Sequence, residues 1–126
     1  CLIPYFMGIF LGNLWSKNYN NVFDPKNEEV KEMHALISIF KPVCSWYQLK
    51  GGVTSLHSCE NFGFLHSNGI GSRILDAHVN STWEGDNTVL LIQTTQFILS
   101  NVAKLAKGKD TIYQSVSYLK KWLPKI

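Results

Sequence analysis

The sequence predicts an all-α fold, a bundle of long antiparallel helices, and three observations carry that expectation. Apolar residues recur at spacings of three and four along Ile3–Leu14, Val30–Phe40 and Val89–Leu99, as on one face of a helix. No stretch shows the apolar–polar alternation of a half-buried strand. Acidic or short polar residues stand where helices should start, and Gly108 stands where the longest should stop. With 126 residues the chain suffices for one helical domain, residues 1–126.

The first helix is predicted over residues 4–17. Pro4 suits a first helical position, and Ile3, Met7, Phe10, Leu11 and Leu14 mark an apolar stripe. Its opposite side is scarcely more polar, so burial over most of its surface is expected. The Asn-rich segment from Asn18 to Asn27 breaks the pattern. A second helix starts near Pro25 or Asn27, with Glu28 and Glu29 against the positive end of its dipole. Val30, Met33, Ile37 and Phe40 continue it. Pro42 then removes a ladder bond and crowds the preceding turn, which predicts a kink or a restart. Beyond Trp46 and Leu49, the Gly51-Gly52 pair either ends the helix or lets a neighbour pack very close, and residues 53–59 can resume it.

From Glu60 to Ile74 the chain is Gly-, Asn- and His-rich, and reads as loop with one short helical turn near Ser72–Leu75. The longest helix follows, about Thr88 to Lys107, with Lys104 and Lys107 in its last turns before Gly108. A final helix is expected from Asp110 as N-cap, with Ile112, Val116, Leu119 and Leu123 facing inward before Pro124.

Composition excludes several classes of function. Net charge is only +3, and the basic residues are scattered or sit at helix ends, so no nucleic-acid face is indicated. Cys1, Cys44 and Cys59 are odd in number and far apart, and read as buried thiols of a reducing compartment. There is no CxxC pair, and the histidines lack the i, i+4 spacing of helical ligands, so no metal site is expected. The apolar N-terminal stretch is too short for a membrane span, is broken by Pro4, Gly8 and Gly12, and lacks the basic flank of a signal peptide. Opening on Cys1 within an apolar helix, the chain reads as a piece of something longer.

The stretch Asn80-Ser-Thr-Trp-Glu-Gly-Asp-Asn-Thr88 concentrates the chemistry. It reads as an extended approach to a tight turn at Gly85, with Asp86 or Asn87 as N-cap of the long helix. Glu84 is then held ahead of a helix N-terminus, between the ring of Trp83 and a glycine that permits close approach of a ligand. Such a carboxylate is a candidate general base. By local chemistry alone, a plain capping role is the better explanation.

Three segments together resemble the C-terminal helical domain of the acyl-CoA oxidases, peroxisomal flavoenzymes related to the acyl-CoA dehydrogenases. Leu2-Ile-Pro-Tyr5 is similar to a Leu-Leu-Pro-Tyr that opens a helix there. Glu32 to Trp46 is similar to a stretch with His-Ala-Leu, Lys-Pro and Ser-Trp. Thr82-Trp-Glu-Gly-Asp-Asn87 is similar to the family's Thr-(Phe/Tyr)-Glu-Gly-(Asp/Glu)-Asn, with Trp83 at the aromatic position, and the wording is nearest the branched-chain (pristanoyl) type. The resemblance spans roughly Leu2 to Leu99. It implies FAD-dependent oxidation of a fatty acyl-CoA to the trans-2-enoyl-CoA, with dioxygen reduced to hydrogen peroxide, in the peroxisome and in a homodimer. It further implies that Glu84 removes the α-proton in a desolvated site. Trp83 and Gly85 then adjoin the substrate, and Gly63, Gly85, Asp86 and Asn87 the FAD. An N-terminal portion with a β-domain would precede this chain.

One departure stands out. Where the family carries Cys-Gly-Gly-His-Gly-(Tyr/Phe), this chain reads Cys59-Glu-Asn-Phe-Gly-Phe64, keeping Gly63 but not the two leading glycines. Leu56 also replaces a family arginine. A carboxylate at Glu60 that faced the pyrophosphate would repel it. The departure supports a second expectation, a divergent member of low or no activity whose helical domain mainly mediates dimerisation.

Overall fold

A computed structural model of the chain describes residues 2–21, 27–109 and 113–122. Among these there is no strand. Helix α1 (Leu2–Asn18) and a 3-10 turn (Tyr19–Asn21) precede the central helix α2 (Glu28–Ser58). A single turn, α3 (Glu60–Gly63), and a 3-10 turn (His66–Asn68) lead to α4 (Ile70–His78). After another 3-10 turn (Val79–Ser81), α5 (Asn87–Ala106) runs back along α2. A 3-10 turn (Gln114–Val116) and α6 (Leu119–Trp122) close the described chain.

Helix α2 is the axis on which α1, α4 and α5 pack. It starts where the sequence marks a start: the Asn27 side chain accepts from the Glu29 N–H at 3.0 Å, with Glu28 and Glu29 in the first turn. It then passes through Pro42 without a restart, although that residue has no N–H for the Ser38 carbonyl. Pro42 and Ser38 are fully buried, so the proline ring contributes packing where it removes a hydrogen bond. At the glycine pair the helix does not end. A Cβ on Gly52 would lie 2.8 Å from Cγ1 of Ile74, so this glycine admits α4 against α2.

Helix α5 is bounded as its caps dictate. Its end is a Schellman motif: Gly108 (φ 71°) donates to the Leu105 carbonyl at 2.9 Å, and Lys109 to that of Lys104 at 3.0 Å. By length and mean hydropathy (1.2) this helix could cross a membrane. Its buried residues, however, are Asn87, Thr94 and Asn101, a polar row at heptad spacing.

Several expectations are corrected. The segment from Glu60 to Ile74 is largely helical; its turns are too short to display a 3.6-residue period. The approach to Gly85 is not extended: Trp83 N–H and Thr82 N–H both donate to the Val79 carbonyl at 3.0 Å, and Thr82 is αR (φ −112°, ψ −49°). Helix α1 is not buried within this chain, since Tyr5, Phe6, Ile9, Phe10 and Trp15 are exposed. Instead of a continuous final helix there are two short turns, joined by bonds of 3-10 type from Ser117 N–H to the Gln114 carbonyl and from Lys120 N–H to the Ser117 carbonyl, both 3.2 Å. Val116 is buried as expected; Asp110, Ile112 and Leu123 lie outside the described residues. Cys44 is half-buried and Cys59 exposed, both as free thiols, so the expectation of buried thiols fails at Cys59.

Candidate active site

The turn between the Val79–Ser81 segment and α5 carries Trp83, Glu84, Gly85 and Asp86. Two consecutive residues of that turn have positive φ, Glu84 at 55° and Gly85 at 99°. Gly85 adopts this conformation without strain, whereas a glutamate there costs about 1–2 kcal/mol through its Cβ. Even an added methyl at Gly85 would press on Leu90, whose Cδ2 would be 3.1 Å away. Asp86 ends the turn as the N-cap of α5: its Oδ1 accepts from Thr88 N–H at 2.9 Å and Val89 N–H at 3.3 Å. Of the two cap candidates, the sequence order is thus resolved in favour of Asp86.

Asn87 has a different task. It is 2% exposed, and both ends of its amide are used within the chain. Its Oδ1 accepts from Lys41 Nζ at 2.8 Å, and its Nδ2 donates to Ser45 Oγ at 2.9 Å. The Ser45 hydroxyl in turn donates to the Lys41 carbonyl at 2.9 Å. Lys41 Nζ also donates to the Gly85 carbonyl at 2.7 Å. On the other side of the turn, Asn80 Nδ2 donates to Gln48 Oε1 at 3.1 Å. The turn is therefore tied to α2 at two places, one helical turn and more apart.

Between these ties lies a cleft of about 240 Å³ lined by Lys41, Cys44, Ser45, Gln48, Asn80, Trp83 and Glu84. The Glu84 carboxylate sits on its wall, exposed, and without a hydrogen-bond or ion-pair partner among the described residues. This is the unpaired carboxylate the sequence suggested, but not a desolvated one within this chain. Trp83 is likewise exposed (55%), so its ring forms a wall rather than a lid. A pocket that encloses a small molecule typically measures roughly 300–1,000 Å³. This cleft falls short of that range and is open on one side.

Gly63 lies elsewhere, where α3 folds back on α2. A Cβ there would fall 1.9 Å from the Leu56 carbonyl oxygen, so its lack of a side chain is required by packing inside the chain. Glu60, three residues earlier, is exposed and has φ 48°. Its backbone thus keeps a conformation natural to glycine although the residue is not one. Among the described residues no group of three or more His, Cys, Asp or Glu side chains is arranged to hold a metal ion.

Gly85 follows Glu84 in the chain but does not line the cleft, which brings together Asn80, Trp83 and Glu84, from the stretch the local sequence singles out, with Lys41, Ser45 and Gln48, which it does not. Their absence from local reasoning is physical: the contacts of Lys41 span 44 and 46 residues. The signal that could have found them is the Lys-Pro-x-x-Ser wording at Lys41–Ser45, which places both side chains on one face of α2.

Comparison with known proteins adds an independent line. A family model described as acyl-CoA oxidase, C-alpha1 domain, matches residues 5–99. The chain is 26% identical over 114 residues to human peroxisomal acyl-coenzyme A oxidase 1, a match covering 90% of the chain and 17% of the relative. Against human peroxisomal acyl-coenzyme A oxidase 3 it is 38% identical over 73 residues, covering 58% of the chain and 10% of the relative. Against rabbit (Oryctolagus cuniculus) peroxisomal acyl-coenzyme A oxidase 2 the figures are 25% over 124 residues, 94% and 18%. The chain thus spans less than a fifth of the length of these relatives. No solved structure matches it.

Proposed function

The chain belongs to the acyl-CoA oxidase family, and from that premise we propose that it is the helical part of a peroxisomal acyl-CoA oxidase that carries the catalytic base, Glu84. The observation that supports this most directly is the turn itself. A glutamate is held in a left-handed conformation at the head of α5, unpaired, on the wall of a cleft too small to be a whole site. Backbone strain of this kind persists where the surroundings over-determine it, and it clusters at functional sites.

The chemistry asked of Glu84 is removal of a proton from the carbon next to a thioester. In water a carboxylate is far too weak a base for that proton. Desolvation raises its basicity, and hydrogen bonds to the thioester oxygen stabilise the developing enolate. In this reading the portion of the polypeptide outside residues 1–126 covers the open side of the cleft and dries Glu84. Trp83 then walls the acyl chain, and Gly85 adjoins the thioester while its positive φ turns the chain from Glu84 to the cap of α5. The proton leaves the α-carbon for a Glu84 oxygen while the α–β bond becomes double, giving the trans-2-enoyl thioester. A bound FAD, which Gly85 and Asp86 would adjoin, would supply the two-electron oxidation that removes the β-hydrogen as hydride, with dioxygen as final acceptor of that hydride and a proton to give hydrogen peroxide.

The residues of the turn fit such a cofactor as one wall of its site. Gly85 and Asp86 are exposed, with their carbonyls taken by Lys41 and Leu90, and the Asn87 side chain is engaged with Lys41 and Ser45. At the 59–64 segment the contribution of Gly63 is backbone only. The partner of a homodimer is the natural recipient of that contact, as the family resemblance implies. The exposed carboxylate of Glu60 favours the second reading, a divergent member with weakened flavin binding whose helices mainly serve dimerisation.

The test uses the full-length protein. With Glu84→Gln, flavin absorbance is expected to persist while peroxide production from a fatty acyl-CoA falls roughly 10²–10⁴-fold, the usual worth of a general base. Unchanged turnover would remove Glu84 from the mechanism. A colourless, folded wild-type protein would favour the second reading.

A further inference from the structure

We infer that Lys41 is the positioning residue for Glu84, and that it acts through the Gly85 carbonyl rather than on the substrate; this inference rests on the reading of Glu84 as the base. Lys41 projects from the middle of α2, and its ammonium bridges two groups of the turn that carries Glu84. One N–H donates to the carbonyl of Gly85 at 2.7 Å and another to Oδ1 of Asn87 at 2.8 Å. An ammonium is suited to this because it offers three donors from one point and accepts nothing. Charge-assisted bonds of this kind are also stronger than neutral ones.

The bridge is itself closed into a ring. Asn87 passes the contact to Ser45, and the Ser45 hydroxyl returns it to the backbone of Lys41 one helical turn earlier. Asn87 and Ser45 are buried, so water cannot easily replace either partner. The Gly85 carbonyl is the lever. Its direction is set by the peptide that follows the left-handed pair Glu84–Gly85, and Lys41 holds that carbonyl toward α2. Releasing it frees the turn to relax toward ordinary backbone and swings the Glu84 side chain away from the cleft. Asp86 cannot substitute for this, because its carboxylate fixes only the first turn of α5 beyond the glycine.

The experiment compares wild type, Lys41→Met, Lys41→Arg and Glu84→Gln in the full-length flavin-loaded protein. The readouts are flavin content, unfolding temperature, kcat and KM for a fatty acyl-CoA, and the kinetic isotope effect with α-dideuterated substrate. Lys41→Met is expected to retain flavin and to lower kcat roughly 10²-fold, the effect of about 1 Å of misplacement. KM should stay within about twofold, because the lost contact acts on the reacting step. The α-deuterium isotope effect should rise, since proton removal becomes slower than the other steps. Lys41→Arg, which keeps two donors and the charge, should recover most of the loss. A residue that merely braced the fold would lower the unfolding temperature and leave the isotope effect alone; that outcome overturns the inference. If Lys41→Met does not fold, Lys41→Gln serves instead, and wild-type kcat with a wild-type isotope effect is again the overturning result. Should Glu84→Gln turn over normally, the base assignment fails and the inference with it. If Glu84→Gln is inactive and Lys41→Met normal, only the role of Lys41 fails.

Discussion

Two glutamates in this chain, Glu60 and Glu84, hold left-handed backbone, and their surroundings differ. Glu60 (φ 48°) is exposed, and its carboxylate has no partner among the described residues. Glycine adopts this conformation freely, although it loses more entropy on folding. Glu60→Gly is therefore expected to raise stability by about 1 kcal/mol in urea unfolding, whereas Glu60→Ala, which keeps the Cβ, should not. If flavin binding is weakened by the Glu60 carboxylate, the same variant should also increase the bound flavin of the full-length protein. Glu84 (φ 55°) has the same conformation but a cleft beside it and a braced carbonyl after it. Glu84→Gly should likewise stabilise the fold by about 1 kcal/mol while abolishing activity, the trade expected of a strained functional residue. A Glu84→Gly protein that was less stable than wild type would show that the turn is held by the side chain and not in spite of it.

At the scale of elements, glycine positions decide where helices can meet. The Cβ of an alanine at Gly63 would collide with the Leu56 backbone carbonyl, which unlike a side-chain end cannot turn aside. Gly63→Ala should cost about 1–3 kcal/mol or more, by displacing α3 from the end of α2. At Gly52 the obstacle is the side chain of Ile74, which can rotate, so Gly52→Ala should cost less. Thermal unfolding of the two variants gives the order. These cases also show how much was legible in the residues. The apolar period and the caps of Asn27, Asp86 and Gly108 made the start of α2 and both ends of α5 readable within a residue or two, whereas the run of α2 through Pro42 and Gly51-Gly52 as one helix was not. Helix α4 was not readable, because nine residues between Gly69 and a 3-10 turn display little more than two periods. The helical approach to Glu84 was missed because Asn80, Ser81 and Thr82 favour turns, while a shared bond to the Val79 carbonyl holds them in one. Glu84 stood out only through the likeness of Thr82–Asn87 to a family pattern, since its own neighbours favoured a cap. The residues that brace it were not legible, since a contact between Lys41 and Gly85 leaves no periodic trace.

Across the whole molecule, the apolar face of α1 and the open side of the cleft are surfaces that nothing among the described residues covers. Within the chain, one contact closes the assembly from its other end. Tyr113 is buried, packs its ring against Phe97 at 4.9 Å between centroids, and lies 5.4 Å beneath the Lys104 ammonium. Its hydroxyl donates to Oε2 of Glu28 at the head of α2, and Ser115 N–H donates to Glu32 Oε1 at 2.6 Å one turn on. The segment after α5 is thus latched to the start of α2. Burial, and then the hydrogen bond to Glu28, pushes the Tyr113 phenol up to about 12 from 10.0. Glu28 is held below its ordinary 4.5 by Lys31 and then by Tyr113. The two shifts have opposite consequences. Because the folded state keeps the phenol proton that the unfolded chain releases, the contribution of Tyr113 is whole below pH 10 and is lost between 10 and about 12. The contribution of Glu28 is whole above 4.5 and is lost as acid protonates the folded carboxylate. Tyr113→Phe keeps the ring and removes the hydroxyl. It should lower stability at neutral pH by about 1 kcal/mol, since it deletes a hydrogen bond to a carboxylate while keeping the packing. It should also flatten the alkaline limb of the stability profile, so that wild type and variant converge as pH approaches 12. Urea unfolding at neutral pH and at several values above 10 measures both, and parallel profiles would show that the latch is held by the ring contacts alone.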